Sequence, residues 1–307
     1  MADIVVVGSL NMDVTVKVPH IPKIGETILA TEIHHNGGGK GANQAIAAAR
    51  LGGSVAMIGK VGQDKNGHTL LNGLMKENID VTGIEFSEDM TGTAFIKVSS
   101  KGDNNIVVYP GANNHVDIAQ IDRNRHLIEN SKICVMQMEI PYEVVKYVTN
   151  ICYEKGIKVV FNPAPATTRI DDDLLQKTHI LVPNETELFI LAGEDKPSLD
   201  RIDEAIEKVY KRGAKNIIVT LGDKGCIYYD GERRLSFESK KVKAADTTAA
   251  GDSFIGALVT ALVEGKTLEE AIEFATFAAA LTVTKLGAQN SLPTREEVED
   301  FIKNYNY

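Results

Sequence analysis

The sequence predicts an α/β protein of three layers, with a central, mainly parallel sheet between helices and a small β-sheet lid. Short Val/Ile-rich runs end in glycine or polar residues and lead into amphipathic segments, the alternation of parallel strands joined by helical crossovers. Two further segments alternate apolar and polar residues with period two, as antiparallel strands with one wet face do. A chain of 307 residues, 43% of them hydrophobic, suffices for one large domain, and no repeat, low-complexity tract or linker divides it.

In chain order the core strands are expected at Ile4–Val7, Ser54–Ile58, Ile133–Gln137, Lys158–Phe161, His179–Val182 and Asn216–Leu221. Helices are expected at the Ala-rich Gly41–Leu51, at Gly67–Asn78, and at Tyr142–Lys155 and Ile202–Arg212, where apolar residues recur every three or four positions. Val14–His35 and Thr91–Tyr109 are the alternating segments and are broken by Pro19, Pro22, Gly25 and Gly102. Both flank the glycine-rich 36–43 stretch, so residues 14–35 and 91–109 read as a lid inserted in a single domain spanning 1–307. The open edges of such a lid want covering, which suggests a homodimer paired through it.

A formal net charge of −9 without any Lys/Arg block argues against nucleic acid or an acidic membrane as partner. An anionic ligand would then be held by backbone dipoles, a metal or a few placed cations. Cys134, Cys152 and Cys226 are odd in number and widely spaced, as reduced core residues are. The N-terminus shows no basic region and cleavage site, and the apolar run from Phe274 to Val283 is too short to span a bilayer. The expectation is a cytoplasmic protein.

The stretch Asp246-Thr-Thr-Ala-Ala-Gly-Asp-Ser-Phe254 carries most of the chemistry. Small residues at Ala249, Ala250 and Gly251 let a turn expose consecutive N–H groups at a helix start, where the macrodipole favours a transferring phosphate. Asp252 at the edge of that anion hole would repel phosphate unless it faces a hydroxyl that must lose its proton. An ordinary helix N-terminus is the alternative. Asn11 and Asp13 follow the first strand with period-two spacing, so they offer an amide and a carboxylate to a polyol, or else form a turn into the lid. Gly37 to Asn43 is not a Walker loop, because Gly41 follows Lys40 where Ser or Thr is required. Its glycines allow a ligand to approach the backbone at the start of a helix, with Asn43 placed to hydrogen-bond. Asn184 and Glu187 share a helix face and could hold hydrated Mg²⁺, although an acid is favourable in any first turn. Thr220 to Gly225 could line a nucleotide or simply turn a hairpin. The irregular stretch from Thr282 to Ser291, with Asp246 nearby, could coordinate a hard cation.

Together, Gly37–Asn43 and Asp246–Phe254 resemble the two signatures of the PfkB-type carbohydrate kinases, and the intervening motifs occur in that family's order across essentially the whole chain. The resemblance implies the ribokinase-like fold and transfer of the ATP γ-phosphoryl group to a sugar hydroxymethyl, with O5 of D-ribose the expected acceptor. Another small sugar or nucleoside (2-deoxyribose, fructose or adenosine) is the alternative acceptor. It implies Asp252 as general base and Ala249, Ala250 and Gly251 as anion hole. Asn11, Asp13, Gly39, Lys40, Asn43, Glu139 and Asp252 would hold the sugar. Asn184, Thr220, Leu221, Gly222, Asp223, Lys224, Gly225, Gly251 and Thr276 would meet the nucleotide, with Glu187 organising Mg²⁺ through water. Asp246, Thr248, Thr282, Lys285, Gly287 and Ser291 occupy the positions that relatives use for a monovalent cation, usually K⁺. Thr276 departs from the Asn or His that relatives often carry near adenine.

Overall fold

The computed structural model describes residues 1–194 and 196–305. Its strands are β1 (Ile4–Val7), β2 (Asn11–Val18), β3 (Glu32–Gly38), β4 (Val55–Gly62), β5 (Asp80–Ser87), β6 (Gly92–Ser99), β7 (Asn104–Tyr109), β8 (Ile133–Met136), β9 (Lys158–Phe161), β10 (Ile180–Leu181), β11 (Ile217–Thr220), β12 (Cys226–Tyr229) and β13 (Arg234–Phe237). They form one sheet in the order β13-β12-β11-β10-β9-β8-β1-β4-β5 and a second in the order β3-β2-β6-β7.

The first sheet is parallel from β11 through β5, with β12 and β13 added antiparallel at one edge. Strand β1 shows why it sits at the centre. All four of its residues are buried; Ile4 and Val6 join one apolar cluster, and Val5 and Val7 join the other. A strand that buries both faces must be apolar at every position, and only helices above and below can cover it. The helices Lys40–Arg50, Ala250–Val263 and Leu268–Thr282 contribute to the first cluster, and Tyr142–Lys155 and Ile202–Lys211 to the second. Registers Val7 to Met136 and Met136 to Phe161 align the carboxyl ends of β1, β8 and β9, while β4, paired Ile58 to Val7, runs on to Gly62. The segments leaving those ends therefore gather along one edge of the sheet, where open α/β sheets bind ligands.

The structure departs from the sequence expectation in the lid and at the sheet edges. Strand β2 pairs antiparallel with β3 but parallel with β6, so the second sheet, expected as a lid, is a mixed sheet. Both β2 and β6 begin just after segments leaving the main sheet and run outward together, which sets them parallel. The lid also begins earlier and ends later than the alternation predicts: Asn11, Asp13, Gly37 and Gly38 lie on its strands, while residues 19–31 form none. Strand β5 was not foreseen, since it is a half-exposed edge in which only Gly83 is buried and no apolar run announces it. The three cysteines are buried and free. Among the described residues no helix is long and apolar enough to cross a membrane.

Candidate active site

Ala249 adopts φ 62° and ψ 9° and is the N-terminal flanking residue of the helix Ala250–Val263. A left-handed backbone is uncommon for a residue with a Cβ, and its cost is sustained where surrounding structure or function demands it. The turn leaves that helix without a side-chain cap. Ala250 N–H reaches the Thr247 carbonyl at 3.3 Å, while the Gly251 and Asp252 N–H groups find no acceptor among the described residues. Unpaired donors at a helix start are an anion site. They face a cleft of about 620 Å³ that Ala249, Ala250, Gly251 and Asp252 all line. A Cβ added to Gly251 would meet nothing within 4 Å. Packing therefore does not demand glycine there, whereas close approach by a ligand would.

Asp252 is buried, and each of its oxygens accepts one side-chain amide: Oδ2 from Asn43 Nδ2 at 2.9 Å and Oδ1 from Gln44 Nε2 at 2.9 Å. Gln44 in turn accepts from Gln137 Nε2 at 2.7 Å. These contacts depend on close approach of the helix Lys40–Arg50 to the helix Ala250–Val263. Gly256 provides it, because a Cβ there would lie 2.5 Å from the Ala47 Cβ and 2.8 Å from the Ala48 nitrogen. The Asn43 Oδ1 is buried without a partner, leaving an acceptor for an incoming hydroxyl.

Beside Asp252 lies a second polar set. Gly39, at φ 87°, and Gly41 press the start of the Lys40–Arg50 helix onto residues 8–11; a Cβ on Gly39 would sit 2.7 Å from the Asn11 nitrogen. Glu139 Oε2 accepts from the Ser9 hydroxyl at 2.5 Å and the Lys40 N–H at 3.0 Å. Asn113 donates from Nδ2 to Asn11 Oδ1 at 2.7 Å while its own Oδ1 accepts from Leu10 N–H at 2.8 Å. The Asn11 NH₂ is thus left as the group available to a ligand. Burial, reinforced by the charges of Glu139 and Asp252, pushes the Asp13 carboxyl up to about 7. Burial works to lower the Lys40 ammonium, but the surrounding Asp252, Glu139 and Glu187 outweigh it and hold the group above its ordinary value.

The cleft itself runs from Lys40 past Asp252 to Asn184, Glu187, Thr220, Gly222, Asp223, Gly225 and Thr276. Leu221 and Lys224, expected at the nucleotide, do not line it; both lie in the tight turn closed by Leu221 N–H to the Gly225 carbonyl at 2.8 Å. The apolar half of the wall was not foreseen: Val242, Ala244, Ala279, Ala280 and Val283, with Lys240 at the rim. Asn184 and Glu187 form a reciprocal capping box, as the helix-start reading expects, and both also line the cleft. Burial raises the Glu187 carboxyl above its usual range, against the opposing hydrogen bond from Asn184 and charge of Lys40.

Asp246 ties two loops together, accepting from Thr248 N–H at 2.9 Å, the Thr248 hydroxyl at 2.6 Å and Gly287 N–H at 2.9 Å. The other residues expected around a monovalent cation are only partly gathered. The Thr282 hydroxyl turns to Ser253 at 2.7 Å, Lys285 Nζ pairs with Glu297 at 2.6 Å, and the Ser291 hydroxyl bonds the Ala288 carbonyl at 2.7 Å. Their side chains are thus committed elsewhere, leaving backbone carbonyls as the donors those positions could supply.

Sequence reasoning missed Ser9, Gln44, Asn113 and Gln137. Gln137 could have been noticed as a polar residue closing an apolar strand; the others act through partners 102 to 208 positions away, which one sequence does not display.

Residues 1–295 match the profile of the pfkB family carbohydrate kinases. The chain is 42% identical over 299 residues to a ribokinase of Haemophilus influenzae, with 97% of each chain covered. It is 35% identical over 301 residues to a deoxyribokinase of Salmonella typhimurium, covering 98% of each. Among solved structures it is similar to an Arabidopsis thaliana ribokinase complexed with ribose and ATP, at a TM-score of 0.91 and 34% identity, covering 98% of this chain and 99% of the other.

Proposed function

The chain belongs to the pfkB family of carbohydrate kinases, and from that premise we propose that it phosphorylates D-ribose at O5 with ATP. The observation that carries this reading is the buried Asp252. It lies where an uncapped helix start, a nucleotide-sized cleft and the Asn11, Asp13, Asn43 and Glu139 set converge.

In the reaction the O5–Pγ bond forms, the bond from Pγ to the bridging oxygen of ADP breaks, and the hydroxyl proton passes to Asp252. Phosphoryl transfer runs through a loose transition state, so positioning and charge stabilisation supply most of the acceleration. Asp252 aims the hydroxyl, and the amides of Gly251 and Asp252 receive charge on the transferring group. Lys40, held cationic among carboxylates, supplies a positive charge at the boundary between the two substrates. The apolar wall around Val242 and Ala280 suits an adenine ring, and Gly222, where a Cβ would meet nothing within 4 Å, lets backbone approach the nucleotide.

Two ions fit this reading. Glu187 lines the cleft as a carboxylate whose ionised form is disfavoured by burial, a cost that hydrated Mg²⁺ beside the phosphates would relieve. Mg²⁺ supplies neutralisation of the β- and γ-phosphate charge. Asp246, backbone carbonyls near it and a Lys285 ammonium turned toward Glu297 fit a monovalent cation, K⁺ by the family resemblance, behind the anion hole. In this reading residues 1–307 are one domain with the second sheet inserted as a lid, the lids pair in a homodimer, and the enzyme works in the cytoplasm.

A 2-deoxyribose acceptor is the second reading, favoured by the deoxyribokinase relative. A panel of ribose, 2-deoxyribose, fructose and adenosine with coupled ADP detection, and phosphorus NMR of the product, tests both. Ribose should give the highest kcat/KM and a 5-phosphate. Preference for 2-deoxyribose would install the second reading, and absence of ADP formation with every acceptor would overturn the kinase assignment.

A further inference from the structure

Two glutamines beside Asp252 have no place in the reaction as described so far. Gln44 and Gln137 are both almost completely buried, at 1% and 0% exposure. Burying an amide costs free energy that an apolar side chain of the same size would not incur, so an unneeded pair at this depth would be a net loss. Their contacts have one possible sense. An ionised carboxylate only accepts, so Gln44 must present Nε2 to Asp252 Oδ1, at 2.9 Å. Its Oε1 is then the acceptor for Gln137 Nε2, at 2.7 Å. That leaves Gln137 Oε1 buried without a partner. It fits there because residue 8 is glycine: a Cβ on Gly8 would lie 2.2 Å from that oxygen. The chain ends on an unsatisfied atom, at the cost of keeping the donor end turned to Asp252.

Asn43 and Gln44 are consecutive on one helix and grip different oxygens of the same carboxylate. A carboxylate held by one donor can still rotate about its Cβ–Cγ bond; one held at both oxygens cannot. We propose that Gln44 and Gln137 are a positioning relay for Asp252, locking its carboxylate in the orientation from which it accepts the sugar's hydroxyl proton. The inference rests on the reading of Asp252 as the general base. Gln44 and Gln137 themselves are positioning residues that act through it.

The test is a double-mutant cycle. Gln44→Met and Gln137→Met keep volume and remove the amides. Each should lower kcat, by about tenfold for Gln44→Met and by several-fold for Gln137→Met, with KM for ribose and ATP changed less than about twofold. In an Asp252→Asn background the same substitutions should leave the residual rate, read by single turnover with enzyme in excess, within about twofold. Equal factors in both backgrounds would mean a merely structural role and overturn the relay, as would unchanged kcat in the single variants. If Gln44→Met does not fold, Gln44→Leu serves, since it is also apolar and of similar bulk and lacks the N–H donor; it should show the same loss and the same silence in the Asp252→Asn background. Near-normal turnover of Asp252→Asn alone would instead remove the base reading on which the relay stands.

Discussion

In the proposed reading Asp252 lies within reach of a triphosphate, which a carboxylate repels, and its own surroundings offset this because they are donors: Asn43 and Gln44 on its oxygens and the Lys40 ammonium nearby. Asp252→Asn keeps the shape and loses the proton acceptor. We expect turnover to fall by roughly two orders of magnitude or more with ribose affinity nearly intact, measured by coupled assay and calorimetry. Asp13 gives a second prediction, in pH. Its carboxyl titrates at about 7, chiefly through burial and then through Glu139 and Asp252. A sugar hydroxyl donates to the ionised form, so affinity should rise as pH rises through that value. The ribose Kd, measured without nucleotide, should drop about tenfold from roughly pH 6 to roughly pH 8, the change in ionised fraction of one group titrating midway. Asp13→Asn should flatten that dependence while weakening binding; a flat profile in the unaltered chain would place the proton elsewhere. Asp252, Lys40, Asn43 and Asp13 are legible in the sequence because their residue types sit in short motifs. Gln44, Gln137 and Asn113 were not, because each is defined by a partner distant in the chain: Gln137 is 93 positions from Gln44, and Asn113 is 102 from Asn11.

Elements matter here through how closely they approach. Gly256 lets the two helices that carry Asn43 and Asp252 come together, and the atoms that crowd it include the Ala48 backbone nitrogen, which cannot rotate away. Gly256→Ala should cost about 1–3 kcal/mol in urea unfolding and lower kcat more than either KM, because it separates Asp252 from its donors. Unchanged stability would show that the helices yield locally. The loops joined by Asp246 behave as a second element. If a monovalent cation fills the space behind the anion hole, desalted enzyme should be activated by K⁺ over Na⁺, and Asp246→Ala should lose most of that difference; equal rates in both salts would count against the site. Most core elements could be read from period and turn residues, since β1 and β8, and β9 after its exposed Lys158, are apolar runs buried on both faces. Strand β5 could not, because an edge strand needs neither continuity nor alternation, and the parallel pairing of β2 with β6 follows from where the main sheet releases them rather than from their own residues.

For the molecule as a whole, the lid presents an unresolved surface problem. Every residue of β7 is exposed, including Ile106 at 53%, Val107 at 57%, Val108 at 49% and Tyr109 at 42%, and Ile33 and Phe95 add to the same sheet. Strands β3 and β7 also leave free edges, which invite pairing with another strand. An apolar, open-edged sheet is poorly stable alone, whereas two such sheets packed together would bury each other's exposed residues and, in the proposed reading, brace both lids. Light scattering at micromolar concentration should therefore give twice the 33.3 kDa mass of the chain. Val107→Asp, which puts a charge into the proposed contact, should give a monomer that remains folded by circular dichroism but shows a raised ribose KM, since its lid is no longer braced. A chain that sediments at its single mass without substitution would refute the pairing, and a monomeric variant with unaltered KM would separate dimerisation from closure over the sugar.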